Sequence, residues 1–406
     1  MHSVEQAAAM VLARVARLGT ESVALNQAGG RISATDIRAP MPLPGFDHSA
    51  MDGYAARSAE LPASLPIYSS IAAGALLPAP IPERVAVRIM TGAAVPSELD
   101  TVVMQERAEV ADADRVALPA SRPGDNIRRT GEDIAVGELA VSAGTRLGSR
   151  EMGLLAALGI ARVEVVARPR VAVMATGDEL IDIATPAAHG QIVDSSSYML
   201  AAMLEEIGAV PAYVGIVNDD PSAMAAALAH AFAFPDSSGA LHACDAVITT
   251  GGVSVGDRDY VHRAFASAGI TLELYKVAMK PGKPFSFAMK NSTPVFGLPG
   301  NPVSAFVAFE LFVRPALLAM QGASSTTRPR ALVALEHGYR KQPGRAHFLR
   351  ATVVRNGEQL VARAHPKQGS AMLSSLVGCN ALVEISADAS EIAPNAVVPA
   401  ILLEAV

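Results

Sequence analysis

The sequence predicts a multi-domain α/β protein: a mostly parallel sheet with covering helices, flanked by two β-rich regions. Three observations carry this. From Pro169 onward, short apolar runs alternate with helix signals, the pattern of a sheet whose strands are joined by crossover helices. Between Pro62 and Pro119, β-branched runs at 85–89, 101–104 and 115–118 are separated by Pro, Gly and Asp turns, which reads as all-β. After Arg328 the chain is β-rich to its end, with runs at 331–336, 348–354, 359–362, 381–385 and 397–403, as expected of a small barrel or sandwich.

Composition sets the limits. The 406 residues are 50% hydrophobic and only 18% charged, enough to bury several cores and too apolar for disorder. A net charge of −6 argues against a general nucleic-acid binder. Cys244 and Cys379 lie far apart without metal-ligand spacing, so neither a disulfide framework nor a zinc site is expected. The first residues lack the basic stretch of a signal peptide. Val4, Ala8, Val11, Leu12, Val15 and Leu18 mark one face of an amphipathic helix instead. The apolar run 301–320 holds Pro302, Glu310, Arg314 and Pro315, poor residents of a membrane, and is expected as a buried or dimer-facing helix. A cytoplasmic protein with no membrane and no nucleic-acid partner is expected.

Taken in order, residues 1–168 form an N-terminal region. Its linking layer (1–40 and 136–168) includes the first helix, a second apolar helix at 150–158 stopped by Gly159, and a strand at 162–166. An all-β insertion spans about 41–135. Residues 169–322 form the α/β domain. Its strands are expected at 171–174, 212–216, 246–248, 272–277, 285–289 and 295–298, and its helices at 195–207, 221–232 and 260–268, with one more from Pro302. Residues 323–406 form the β-rich C-terminal domain.

The chemistry gathers at one sheet edge. The buried strand 246–248 leads through Thr249 and Thr250 into Gly251 and Gly252, then to Asp257 and Asp259 at a helix start. Paired glycines let backbone N–H groups approach an anion, and the helix dipole adds to the attraction. Two aspartates would repel a bare phosphate, so a divalent cation is expected between them. The turns 176–179 and 218–220 fall at the same edge of a parallel sheet. Lys276, Lys280 and Lys283, on a proline-stiffened loop, offer counter-charge; lysines on loops are more often merely solvated. Arg128 and Arg129 beside Glu132 and Asp133 would suit a phosphate or carboxylate. There is neither a GxxxxGK[ST] loop nor a GxGxxG fingerprint. His337, His347 and His365 show no ligand spacing and are expected to be structural.

FDHSAMDGYA, RIMTG, IRRTGEDI, TGDEL, TTGGVSVGDRDY, MKPGKP and GLPGNPVS stand here in one order. With them the sequence resembles the molybdopterin molybdenumtransferase family, the MoeA proteins and the gephyrin E domain, over nearly the whole chain. The resemblance implies that the α/β unit is a molybdopterin-binding domain in an elongated homodimer. It also implies insertion of molybdate into adenylylated molybdopterin with release of AMP, helped by Mg²⁺ or Zn²⁺. Asp52, Asp133, Glu179 and Asp259 are then expected to be catalytic, with Glu179, Asp257 and Asp259 on the metal. Thr91, Arg128, Asp219, Gly251, Gly252, Ser254, Lys276, Lys280, Lys283, Pro299, Asn301, Arg350 and Ser370 are expected to bind substrate. Protein partners implied are a molybdopterin adenylyltransferase and molybdoenzyme chaperones. Two departures stand out: His48 replaces the family's usual Asn, and DSSS (194–197) replaces a DSN pattern. An adenylyltransferase of the same α/β type and a non-catalytic scaffold are the competing readings. The long N-terminal β segment and the β-rich C-terminal part weigh against the first, and the retained acids and lysines against the second.

Overall fold

The computed structural model describes residues 1–112, 114–232, 234–235, 241–251 and 260–404. Expected site residues Gly252, Ser254, Asp257 and Asp259 lie outside the described residues.

The first helix, Val4–Leu12, starts on a capping box in which Ser3 and Gln6 satisfy each other's backbone N–H. Val4, Ala7 and Val11 form its buried stripe, and they pack into the core of the α/β domain. The remainder of the linking region is strand pairs, Thr20–Ala24 with Arg162–Val166 and Ile37–Arg38 with Leu139–Val141, beside the helix Ser149–Ala157.

The all-β unit is one six-stranded sheet in the order Thr101–Met104, Gly53–Ala56, Ala86–Ile89, Ala63–Ile71, Arg115–Leu118, Glu109–Asp112. Gly53 is required there by proximity, since a Cβ would sit 2.1 Å from the Val103 carbonyl oxygen.

The α/β sheet runs Val210–Val217, Arg170–Thr176, Ala246–Thr250, Thr293–Leu298, Ser286–Lys290, Thr271–Tyr275. The first four strands are parallel; Ser286–Lys290 runs antiparallel to both of its neighbours, so Thr271–Tyr275 points the same way as the first four. The antiparallel strand has a physical reason. Ser286–Lys290 turns into Thr293–Leu298 through Asn291 and Ser292 alone, with Asn291 at φ 54°, whereas a parallel return needs a crossover of a dozen or more residues. Helices Ser196–Glu206 and Pro302–Ala308 cover one face, Pro221–Ala231 and Tyr260–Ser267 the other. Asp220 caps Pro221–Ala231 by accepting from the Ala223 N–H at 2.7 Å, with Pro221 in the first turn, as its sequence predicts. The helical run Pro302–Met320 is long and apolar enough to cross a membrane, but 83% of its most apolar window is buried in the protein, where it serves as the core helix.

In the C-terminal domain Ala346–Asn356, Gln359–Ala364, Arg330–Leu335, Val397–Leu402 and Ala381–Ile385 close into a five-stranded barrel, because the last also pairs with the first. Closure removes the sheet edges and settles the choice between barrel and sandwich. Met279–Lys280 leaves the α/β domain and adds in parallel to this barrel, Met279 opposite Ala346 and Lys280 opposite His347.

Candidate functional site

In the α/β sheet, the chain moves from Arg170–Thr176 outward to Val210–Val217 and then back across to Ala246–Thr250. The order reverses between Arg170–Thr176 and Ala246–Thr250, and such a switch point leaves a crevice at the strands' carboxyl ends. A cavity of about 590 Å³ opens there, lined by Glu179, Asp194, Asp219, Gly251, Pro299 and Asn301 among others.

Its floor is made of close backbone approaches. Gly251 has φ +89°, and a Cβ on it would lie 2.2 Å from the Thr176 carbonyl oxygen. Only glycine fits. A Cβ on Gly300 would in turn meet the Gly251 Cα at 3.3 Å. The Thr176 hydroxyl donates to the Thr250 carbonyl at 3.1 Å, tying the two strand ends together. The acidic loops are tied as well: the Asp219 N–H donates to Asp178 Oδ1 at 3.0 Å. Asp194, only 2% exposed, accepts from the Ser197 N–H and the Tyr213 hydroxyl. Burial first, then the Asp194 charge, pushes the Tyr213 phenol up to about 12, so it stays a donor.

A second hollow of about 560 Å³ shares Pro284, Pro299 and Asn301 with the first and adds Lys280, Lys283, Arg345 and Ser370. Asn301 opens the core helix without making a side-chain cap bond, so the positive end of the helix dipole faces this space. The barrel loop that carries Ser370 is docked on that helix, its Ser370 carbonyl accepting from the Val303 N–H at 3.2 Å. One wall of the combined site is therefore acidic and the other cationic.

Two expected site residues sit differently. Arg350 is 1% exposed, and its guanidinium donates to Ser375 Oγ and to the carbonyls of Lys367 and Gly369. It braces the Ser370 loop from inside. Lys276 lines neither hollow; it stands at φ 67° with its ammonium 4.3 Å from the Tyr275 ring centroid. A non-glycine residue in that region is strained.

The N-terminal candidates form their own group. Thr91 donates twice to Asp52, while Arg128 pairs with Glu132 at 3.0 Å. Arg128, Glu132, Asp133 and His48 line a hollow of about 570 Å³ that shares no lining residue with the two at the sheet rim. Arg129 does not join them: it pairs with Asp47 at 2.6 Å, and the Thr130 N–H also donates to Asp47. That N–H is the main cause holding the Asp47 carboxyl below the usual range. His48 Nδ1 lies 3.3 Å from the Phe46 carbonyl.

Sequence reasoning missed Thr176, Gly300, Arg345 and Gln368. The LPGN glycine was the available signal for Gly300, sitting at a strand end like Gly251. Among the described residues no three His, Cys, Asp or Glu side chains gather as a metal site.

This layout, a switch-point crevice in an α/β domain set between an all-β unit and a barrel, is shared with known proteins. The MoeA N-terminal region (domain I and II) matches residues 2–159, a probable molybdopterin binding domain matches 172–319, and the MoeA C-terminal region (domain IV) matches 333–403. Fold and crevice thus define a multi-domain protein of the molybdopterin-binding class. A molybdopterin molybdenumtransferase from a Nostoc species is 38% identical over 81% of this chain and 77% of its own. Molybdopterin molybdenumtransferase 2 of Mycobacterium tuberculosis is 36% identical over 97% of both. The molybdopterin biosynthesis MoeA protein of Pyrococcus horikoshii OT3 superposes with a TM-score of 0.83 at 31% identity, over 99% of this chain and 100% of its own. The chain belongs to the MoeA family of molybdopterin molybdenumtransferases, transferases of molybdenum cofactor biosynthesis.

Proposed function

We propose that the protein inserts molybdate into adenylylated molybdopterin and releases AMP. The observation that supports this most is the pairing of an acidic and a cationic hollow around one helix N-terminus at the sheet's switch point. Molybdate and the pterin phosphate are anions, so Lys280, Lys283, Ser370 and the Asn301 helix start are assigned to gather them. Gly251 and Pro299 shape the crevice floor, and Asp219 orients the bound ligand. Gly252 and Ser254, outside the described residues, are assigned to substrate binding. Lys276 serves as a more distant cation and Arg350 as the brace of the Ser370 loop.

The reaction calls for a divalent cation. Glu179, which lines the crevice, would hold it together with Asp257 and Asp259, which lie outside the described residues; carboxylate oxygens suit Mg²⁺ better than the nitrogen and sulfur sites zinc prefers. When bound, such a cation neutralises charge on the phosphate oxygens. The chain's own residues do the rest: the lysines hold the anions in place, and the crevice floor sets the position of the anhydride.

Asp52, Thr91, Arg128 and Asp133 are assigned to the same reaction from the partner of a cytoplasmic homodimer. Arg128 and Asp133 line a hollow that shares no lining residue with the two at the rim, which supports a site shared between two protomers.

The deciding experiment supplies adenylylated molybdopterin, molybdate and Mg²⁺ and follows free AMP. Molybdate-dependent AMP release is expected. Transfer of AMP onto molybdopterin would instead make the protein an adenylyltransferase, and inertness of a folded protein would point to a scaffold.

A further inference from the structure

We propose that His347 is a positioning residue for Lys280, fixing that ammonium on the wall of the cationic hollow without touching the ligand. The inference rests on the reading of Lys280 as an anion-binding residue.

Lys280 is not held by its own domain alone: the loop is closed there by the Val277 N–H donating to the Lys283 carbonyl at 3.0 Å. The Met279–Lys280 segment is captured by the barrel, where Lys280 pairs in register with His347 and the Ala346 N–H donates to the Ala278 carbonyl at 2.9 Å. Directly paired residues put their side chains on the same face of a sheet, so the imidazole stands beside the lysine stem. Lys280 lines the hollow, while His347 is 5% exposed and does not line it.

The imidazole is locked and uncharged. Its Nδ1 lies 2.9 Å from the Tyr339 hydroxyl, and the two rings meet edge to face with centroids 5.8 Å apart. Burial, then the cations Lys280, Lys341 and Arg345, pushes its pKa down to about 4. Lys341 is itself turned onto the carbonyls of Arg345 and Ala387, which keeps its ammonium engaged. A neutral ring can pack against the Lys280 stem without repelling its head. An aliphatic residue would lose the Tyr339 anchor, and a permanent cation would push the ammonium away.

The test is a double-mutant cycle on the purified full chain, reading kcat, KM and melting temperature. Lys280→Ala is expected to raise KM for molybdate or for adenylylated molybdopterin. For that same substrate His347→Leu should raise KM about tenfold with kcat within about twofold, and His347→Gln, which keeps a partner for Tyr339, should stay within about threefold. Combined with Lys280→Ala, His347→Leu should add nothing further to KM, because its effect runs through the lysine. Tyr339→Phe removes the anchor while keeping the ring, and should shift the same KM even if His347→Leu folds poorly. A lowered melting temperature with unchanged KM in His347→Leu and Tyr339→Phe, alongside a Lys280→Ala that does shift KM, overturns the role of His347 and leaves that of Lys280. An unchanged KM in Lys280→Ala overturns the reading of the lysine, and this inference with it.

Discussion

Asp52 and Thr91 form a closed pair: Oδ1 of the aspartate accepts from both the amide and the hydroxyl of the threonine, each at 2.7 Å. The amide first, then the hydroxyl, holds the Asp52 carboxyl below the usual carboxylate range. Asp52 is thus ionised at neutral pH and fixed in direction. Thr91→Val keeps the amide bond and loses the hydroxyl bond, so the Asp52 pKa should rise toward its ordinary value. A group with a lowered pKa loses its charge only as pH falls, so the acid limb of the activity profile should move to higher pH. At pH 7 the loss should be about fivefold in kcat/KM. An acid limb that stays in place in Thr91→Val would remove Asp52 from the reaction.

Sharing of the site between protomers is open to a mixing experiment. Asp52→Ala and Asp259→Ala proteins are each expected to be inactive, and subunit exchange between them should restore activity. In a shared arrangement some heterodimers collect both lesions in one site and leave the other whole. Mass spectrometry verifies exchange; exchanged but inactive mixtures would place each complete site within one chain.

Gly251 offers a sharper lesion than any charge change at the rim. Gly251→Ala must accept both a positive φ and a Cβ lodged 2.2 Å from the Thr176 carbonyl oxygen. The strand ends then have to part, and activity should fall by about a hundredfold or more. Gly269→Ala is the control: its φ is +69°, but a Cβ there meets nothing within 4 Å. That variant should lose about 1 kcal/mol of stability and keep its activity. Equal activity losses in the two would mean that backbone conformation, not crowding, governs the rim.

Glu310 marks a different kind of dependence. Its side chain is 2% exposed and takes both Arg328 bonds, at 2.9 and 3.0 Å, while Arg328 also donates to the Leu403 carbonyl. Glu310→Gln takes the buried carboxylate from Arg328 and from Arg314, 3.8 Å away, and leaves Arg328 only the exposed Glu206 at 3.7 Å, at a cost of about 3–5 kcal/mol. Chemical denaturation should register that loss, with kcat per folded molecule unchanged. A stability change below about 1 kcal/mol would mean that the pair is solvated in solution.

Local chemistry was legible in the sequence, and long-range neighbours were not. The Asp220–Pro221 helix start, the strand-end glycines and the lysine loop each follow from a few adjacent residues. That Gly251 abuts Thr176 depends on which strands become neighbours, and apolar periodicity does not encode strand order. Arg350 carries the reverse lesson. Arginine is seldom fully buried, so reading it as ligand-facing is natural until its Lys367, Gly369 and Ser375 bonds are seen. The resemblance supplied candidate site residues; the register between Lys280 and His347 needed the barrel.

The first helix has a consequence for how the chain is made. Val4, Ala7 and Val11 find their apolar partners on the core helix near residues 309–320. At about 5–20 residues per second, roughly 15–60 s of synthesis separates the helix from its partner. The all-β unit, complete long before, can fold in that interval, but the helix cannot bury its stripe. During translation the apolar stripe of this segment therefore stays exposed until residues 309–320 have been made and can cover it.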